Sequence, residues 1–250
     1  MGTGPHLCFL HGFCEDSSIW DNLIEVLSQE YTCIAIDLPG FGKSKKLPFN
    51  SLDQVADQVN ELLKSEDAEK CTLFGHSMGG YIAVSYLKTH GEHLQGVGFI
   101  HTTVMNDQPA KKENRQKSID FITKHGTNEF FRLFVPGLVA LQNRSRLREQ
   151  LTELVSSTPT SSVISGLTAM MNRTSGLETV SNFRKPILFL KGEEDTHYKT
   201  DEIYKQASAC SLVQLSVIPE VGHLSMLEDK KKCLTEILPT CGCKRFNKTQ

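Results

Sequence analysis

Short apolar runs alternate with amphipathic stretches along most of the chain. Continuous apolar runs are typical of strands buried on both faces of a parallel sheet. Six candidate strands occur at residues 7–10, 32–36, 71–74, 96–100, 186–190 and 212–218, and four of them are continuous apolar runs. Between them, residues 51–64 place apolar side chains at helical spacing, with Ser51 as the predicted N-cap. The alternation predicts an α/β fold with a mainly parallel, six-stranded, doubly wound sheet flanked by helices.

The alternation is interrupted once, between the fourth and fifth predicted strands. Residues 102–185 are too long to form a bare loop in a compact domain. They carry helical patterns at residues 116–124, 129–135, 147–155 and 163–171. We predict a helical cap inserted after the fourth strand, with an ordinary pair of crossover helices as the alternative. The predicted organisation is a core of residues 1–101 and 186–240, a cap of residues 102–185, and a polar tail of residues 241–250.

A G-x-S-x-G motif occupies residues 75–79, directly after the third predicted strand and before a helical pattern. A serine on a sharp strand-to-helix turn projects its hydroxyl above the sheet, and glycines are needed where side chains would collide with neighbouring backbone. The following helix adds free N–H groups and a positive dipole end. The motif is weak evidence in isolation, but in this context it predicts Ser77 as a nucleophile.

A serine nucleophile needs backbone N–H donors for the oxyanion that forms on its substrate. Met78, the residue after the nucleophile, supplies one donor in a turn of this kind. Residues 11–13 follow the first predicted strand, which a doubly wound order places beside the third. We therefore predict the Phe13 N–H as the second donor. We interpret His11 and His76 as structural groups that bond nearby backbone.

A serine is a poor nucleophile unless a histidine accepts its proton, and that histidine needs an acceptor that fixes its tautomer. In this fold the acid follows the serine and the histidine comes last. His223 follows the last predicted strand and is the predicted general base, with an expected pKa of about 6–7. Asp195 follows the fifth strand and is the predicted acid, with Glu193 and Glu194 as close alternatives.

Together these residues resemble the α/β-hydrolase superfamily, and within it the cap-bearing group of esterases and enol-lactonases. Matching signature segments occur at residues 11–13, 37–44, 75–80, 192–195 and 222–223. The resemblance runs from about residue 5 to about residue 238. It implies triad roles for Ser77, Asp195 and His223, oxyanion donors at Phe13 and Met78, and no need for a metal ion or an organic cofactor.

The expected function is that of a serine hydrolase that cleaves a small carboxylic ester or lactone through an acyl-enzyme on Ser77. One alternative is carbon–carbon bond hydrolysis or a lyase reaction with the same triad. Another is a ligand receptor of the same fold with little turnover, which an intact triad disfavours. Side chains at strand ends and in the cap should select the substrate. The candidates for this pocket are His101, Phe134, His197 and Tyr198.

Composition and charge argue against nucleic acid and membranes as partners, which leaves the small ester-like substrate as the expected partner. A net charge of −2 gives no global field that would attract nucleic acid or an anionic membrane. No segment approaches the roughly 20 apolar residues of a membrane span. We interpret the basic run at residues 111–117 as solvated surface. The eight cysteines form no C-x-x-C pair and no secretory signal is apparent, so we expect free thiols, no zinc site and a cytoplasmic location.

The start of the chain departs from the superfamily pattern. Members usually begin with an antiparallel pair of strands, and here only six residues precede the first predicted strand. The strand at residues 32–36 should then be an edge of the sheet, apolar and without protecting charges or prolines. We therefore predict self-association or limited solubility through this edge, with coverage by a local loop as the alternative.

Overall fold

The computed structural model describes residues 2–242. Its centre is one sheet in which every strand pair is parallel. The strands are β1 His6–Leu10, β2 Thr32–Ile36, β3 Cys71–His76, β4 Gly96–Ile100, β5 Ile187–Gly192 and β6 Val213–Ile218. The prediction of a six-stranded parallel sheet is confirmed: the four inner strands are buried along nearly their whole length, and the two edge strands β2 and β6 are half-buried.

The order of the strands across the sheet is β2-β1-β3-β4-β5-β6. β1 and β3 are neighbours, with Leu10 opposite Gly75. From β1 the chain goes first to one side of the sheet and then, from β3 onward, to the other, so the order reverses between them. Such a switch point leaves a crevice beyond the carboxyl ends of the strands. The loops that carry Phe13 and Ser77 therefore leave the sheet side by side.

Helices pack on both faces of the sheet and cover one of its ends. They are α1 Asp21–Leu27, α2 Leu52–Ser65, α3 Met78–His90, α4 Pro109–His125, α5 Thr127–Phe134, α6 Arg144–Ser156, α7 Thr160–Asn172, α8 Leu177–Asn182, α9 Thr200–Ser208, α10 Ser225–Glu228 and α11 Lys230–Ile237. The side chain of Ser51 caps α2, since its Oγ accepts a hydrogen bond from the Gln54 N–H at 3.1 Å. The predicted N-cap is therefore confirmed.

Helices α4–α8 follow β4 and precede β5, where the sequence pattern predicted an insertion. We call residues 102–185 the helical insertion. It contacts the loops at the carboxyl ends of the strands: the Leu138 carbonyl accepts a hydrogen bond from the His223 N–H at 2.9 Å, and Phe134 packs edge-on against Phe13. The insertion thus covers the crevice at the switch point. Its status as a separate domain remains an interpretation.

The predicted edge position of residues 32–36 is confirmed, because β2 is the outermost strand on one side of the sheet.

At the other end of the chain, the short turn Leu238–Cys241 buries Cys241, and residues 243–250 of the predicted tail lie outside the described residues. Five cysteines within residues 2–242 are free thiols: Cys8, Cys14, Cys71, Cys210 and Cys233. No helix in that range is long and apolar enough to cross a membrane.

Candidate active site

Ser77 lies between β3 and α3, in a backbone conformation that non-glycine residues rarely adopt, with φ 48° and ψ −111°. Its N–H donates to the Ile100 carbonyl at 3.0 Å, which ties the turn to the end of β4. A Cβ on Gly75 would lie 2.4 Å from the Gly79 carbonyl oxygen, and one on Gly79 would lie 2.4 Å from that of Leu10. The glycines therefore permit the tight turn, as the motif predicted.

His223 and Asp195 meet above the ends of β5 and β6. The His223 Nδ1 lies 2.8 Å from the Asp195 Oδ2, and both side chains are buried. The other carboxylate oxygen, Oδ1, accepts a hydrogen bond from the His197 N–H at 2.9 Å. The structure thus joins the predicted acid to the predicted base, whereas the alternatives Glu193 and Glu194 are exposed.

Burial acts in opposite directions on the pKa values of His223 and Asp195. It dominates at His223 and lowers the pKa of the imidazole to about 3, against the attraction of Asp195. At Asp195, burial acts to raise the pKa, but interactions with His223 and the neighbouring His101 and His197 hold it well below its usual range. The pair is therefore a neutral imidazole beside a carboxylate at neutral pH. This environment places the pKa of His223 below the expected value of about 6–7, because the sequence did not reveal how deeply the ring is buried.

His76 and Glu15 form a buried ion pair behind this site. The His76 Nδ1 lies 2.9 Å from the Glu15 Oε2, and its Nε2 lies 2.8 Å from the His223 carbonyl oxygen. Because both partners are acceptors, both ring nitrogens carry protons. Burial opposes this charge, yet Glu15 raises the pKa of His76. The imidazolium thus holds the backbone of His223, while Glu15 also accepts a hydrogen bond from the Gly12 N–H at 2.6 Å.

His11 is held by backbone groups alone, as expected. Its Nδ1 lies 2.8 Å from the Gly12 carbonyl, and its Nε2 accepts a hydrogen bond from the Leu38 N–H at 3.0 Å. Beside it, the N–H of Phe13 donates no hydrogen bond to another residue within residues 2–242, and neither does that of Met78. Met78 is the first residue of α3, where the N–H groups have no partner in their own helix.

His101 does not line the pocket, in contrast to its prediction. Its side chain is fully buried, and the Gly192 N–H donates to its Nδ1 at 3.1 Å, while the Ser225 Oγ lies 2.8 Å from its Nε2. The ring lies beneath the site, with Nδ1 3.5 Å from the Asp195 Oδ2. The backbone at His101 has a positive φ of 47°.

One metal-like cluster within the described residues coincides with this site. Ligand atoms of His101, Asp195 and His223 lie within 4.8 Å of one another. The Asp195 Oδ2 and the His223 Nδ1 are already joined by a hydrogen bond, which a metal ion between them would break. The donor set therefore suits acid–base chemistry better than metal binding.

A cavity of about 80 Å³ lies between the sheet and the helical insertion. Ser77, His223, Phe13, Phe134, His197 and Tyr198 line it, so the structure brings together six residues that the sequence nominated. The remaining lining residues are Glu15, Tyr81, Lys111, Arg115, Leu138 and Met170. A larger hollow of about 880 Å³ lies within the insertion between α5 and α6, and none of the predicted site residues lines it.

The sequence model of the alpha/beta hydrolase fold matches residues 5–230. The chain belongs to this family. Among solved structures, a thermophilic esterase from Thermogutta terrifontis, described in a malate-bound form, superposes with a TM-score of 0.89 and 27% identity over 96% of this chain and 90% of that one. An enol-lactonase from Burkholderia xenovorans has the same fold, with a TM-score of 0.86 at 17% identity over 96% of this chain and 92% of that one.

Among curated proteins, a pimeloyl-[acyl-carrier protein] methyl ester esterase from Nitrosomonas europaea is 32% identical over 102 residues. That segment covers 41% of this chain and 39% of the relative. The chain thus matches about two fifths of the length of this esterase.

Four polar residues of this α/β hydrolase site were not identified from the sequence: Glu15, Tyr81, Lys111 and Arg115. Tyr81 lies one helical turn after Ser77 on α3, a spacing that could have indicated it. Lys111 and Arg115 belong to the basic run that was interpreted as solvated surface. That interpretation was wrong for these two residues, because a four-residue spacing on α4 directs both toward the cavity.

Proposed function

We propose that this α/β hydrolase cleaves a small carboxylic ester through an acyl-enzyme on Ser77. The observation that carries the proposal is the geometry of a strained serine turn and a buried His223–Asp195 pair that line one cavity. The esterase activities of the relatives from Thermogutta terrifontis and Nitrosomonas europaea support the same reaction class.

In the acylation step, the Ser77 Oγ attacks the ester carbonyl and His223 accepts the hydroxyl proton. Asp195 holds the imidazole in the tautomer that leaves Nε2 free for this role. The Phe13 and Met78 N–H groups stabilise the oxyanion, a contribution of about 3–4 kcal/mol for each donor in comparable sites. The tetrahedral intermediate collapses as His223 returns the proton to the departing alcohol, and water then hydrolyses the acyl-enzyme by the same route.

The test combines active-site labelling with a substrate screen. A fluorophosphonate should label Ser77, as mapped by peptide mass spectrometry, and Ser77→Ala should lose both the label and the ester turnover. Ser161→Ala, an exposed serine on α7, is the matched control and should keep both. Labelling that persists in Ser77→Ala would refute the nucleophile assignment.

The screen should include methyl esters, lactones and diketones. Turnover of esters with no diketone cleavage supports the proposal, and comparison with lactones decides which carboxylic ester is preferred. Cleavage of a diketone alone would instead indicate carbon–carbon hydrolysis with the same residues. Binding without turnover of any class would indicate a receptor.

We also propose that the chain works in a reducing, cytoplasmic environment, because five of its buried or half-buried cysteines are free thiols: Cys8, Cys14, Cys71, Cys210 and Cys233. The apolar edge strand β2 is the proposed contact for self-association. Light scattering across a concentration series should show association that Ile34→Lys weakens. A wild-type protein that remains monomeric at the highest concentrations would contradict this.

A further inference from the structure

Two cations of helix α4 face the cavity that Ser77 and His223 line. Lys111 and Arg115 are four residues apart, so they share one face of the helix, and both are partly buried. The neighbouring basic residue Lys117, by contrast, is exposed and pairs with Glu113 on the surface. The inward pair is thus distinct from the solvated part of the same basic run.

Positive charge exceeds negative charge on this side of the cavity. Asp107, the carboxylate nearest to the cations, is paired with two arginines: its Oδ2 accepts from the Arg115 Nε at 2.5 Å, and its Oδ1 lies 2.8 Å from the Arg173 Nη2. The acidic residue that lines the cavity itself, Glu15, is paired with His76. Three cations therefore share one carboxylate.

The two groups that the Lys111 ammonium contacts directly are both neutral. Its Nζ donates to the His197 carbonyl at 3.3 Å and lies 4.2 Å above the centre of the Tyr198 ring. Burial lowers the pKa of Lys111, which is the expected response of a desolvated ammonium. A negatively charged ligand at this position would favour the charged form.

The donors that remain available suit a carboxylate. Arg115 uses Nε for Asp107 and Nη1 for the Met170 sulfur, and its Nη2 makes no hydrogen bond within residues 2–242. Lys111 retains N–H groups beyond the one that its carbonyl partner uses. One ammonium and one guanidinium nitrogen match the two oxygens of a carboxylate, whereas a phosphate would leave acceptors unsatisfied.

We propose that Lys111 and Arg115 form a subsite for a carboxylate on the acyl part of the substrate, so that the preferred substrate is a half-ester of a short dicarboxylic acid. The proposal rests on the proposed hydrolase function of Ser77. The subsite and the nucleophile line the same cavity of about 80 Å³, so the carboxylate and the ester group belong to one small molecule.

The direct test compares monomethyl glutarate with dimethyl glutarate, which has the same acyl chain without the charge. The wild type should prefer the half-ester in kcat/KM by about tenfold or more, the usual effect of a charge-assisted hydrogen bond. Lys111→Met should lower kcat/KM for the half-ester by about 10- to 100-fold and affect the diester much less, so that the preference for the half-ester is lost. Lys111→Arg should restore part of the preference.

The control variant is Lys124→Met, which removes a lysine from the exposed surface of the same helix. It should leave kcat/KM unchanged for both esters. An equal loss on both esters in Lys111→Met would show that Lys111 only packs the cavity wall, and a wild-type preference for the diester would also overturn the subsite.

A binding measurement separates this proposal from the proposed function. Glutarate should bind Ser77→Ala in calorimetry, and Lys111→Met in that background should weaken its Kd by about 10- to 100-fold. If esters are not turned over but glutarate binds in this manner, the hydrolase function fails and the subsite stands. Ester turnover with no charge preference and no glutarate binding would refute the subsite alone.

Discussion

The two walls of the cavity differ in how their charges are compensated. On the sheet side, Asp195 is hydrogen-bonded to His223, and Glu15 is paired with His76. On the side of the helical insertion, Lys111 has no carboxylate partner within the described residues, and Arg115 shares Asp107 with Arg173. A buried charge without a partner costs several kcal/mol unless a ligand compensates it.

We infer from this difference that the two walls have different roles, with bond cleavage on the sheet side and substrate selection on the side of the insertion. The residues proposed for bond cleavage lie on strand ends and on the α3 turn, where the sheet fixes their backbone. The residues proposed to select the substrate, Lys111, Arg115 and Phe134, lie on an insertion with its own helix packing. In this arrangement, substitutions in the insertion can change the substrate without disturbing the proposed triad.

The largest expected effect comes from the sheet wall. Asp195→Asn should lower kcat by about 10⁴-fold while the protein remains folded, because the amide favours the wrong tautomer of His223. Steady-state kinetics and circular dichroism measure the two quantities. Glu194→Gln, an exposed acid one residue away, should retain full activity. An inactive Glu194→Gln beside an active Asp195→Asn would move the acid to that position.

The buried ion pair between Glu15 and His76 predicts that removal of the Glu15 charge destabilises the protein. Glu15→Gln leaves the His76 imidazolium without its counter-charge and should lower the free energy of unfolding by about 3 kcal/mol. The glutamate pKa is held below its usual value: burial raises it, but His76 more than offsets this. Its contribution is therefore present above about pH 4.3 and disappears as the pH falls through the native-state pKa, so the variant and wild type should then converge.

Urea unfolding measures that difference, with Glu61→Gln as the control. Glu61 pairs with Lys64 on the exposed face of α2, and its loss should cost about 0.5 kcal/mol or less. Equal effects of the two substitutions would mean that the buried pair does not stabilise the sheet wall.

A smaller effect is expected on the wall that the insertion forms. Phe134 lines the cavity and packs against Phe13, so Phe134→Ala should shift the preferred acyl length and raise KM several-fold with little change in kcat. Phe131→Ala, whose side chain is buried elsewhere in the insertion, should cost about 3 kcal/mol of stability without changing acyl preference. An identical response of both variants in a series of methyl esters would make Phe134 a packing residue.

The smallest expected change is in the pH profile. Only neutral imidazole accepts the serine proton, and burial lowers the pKa of His223 to about 3. Activity should therefore be nearly constant from about pH 5 to 8 and should fall only as the pH approaches that value or the protein unfolds. A kcat/KM profile with circular dichroism at each pH tests this, and an apparent pKa of 6–7 in the folded enzyme would contradict it.

The apolar runs predicted the sheet because a strand buried on both faces has to be apolar throughout. The positions of Ser77, Asp195 and His223 at strand ends could also be predicted, since parallel strands bring their carboxyl ends to one edge. The role of His101 could not. Its place at a strand end resembles theirs in sequence, and only the structure shows that its ring is fully buried and hydrogen-bonded to Gly192 and Ser225.

The sequence by itself determined the order of strands and helices, the serine turn and the acid–histidine spacing, because each depends on local pattern and chain connectivity. Tertiary structure decided the environment of the charges: the lowered pKa of His223, the protonation of His76, and the inward orientation of Lys111 and Arg115. These properties depend on burial and on partners distant along the chain. From the sequence alone, the basic run at residues 111–117 is interpreted as solvated surface. Only the packing of α4 shows which of its residues face the cavity.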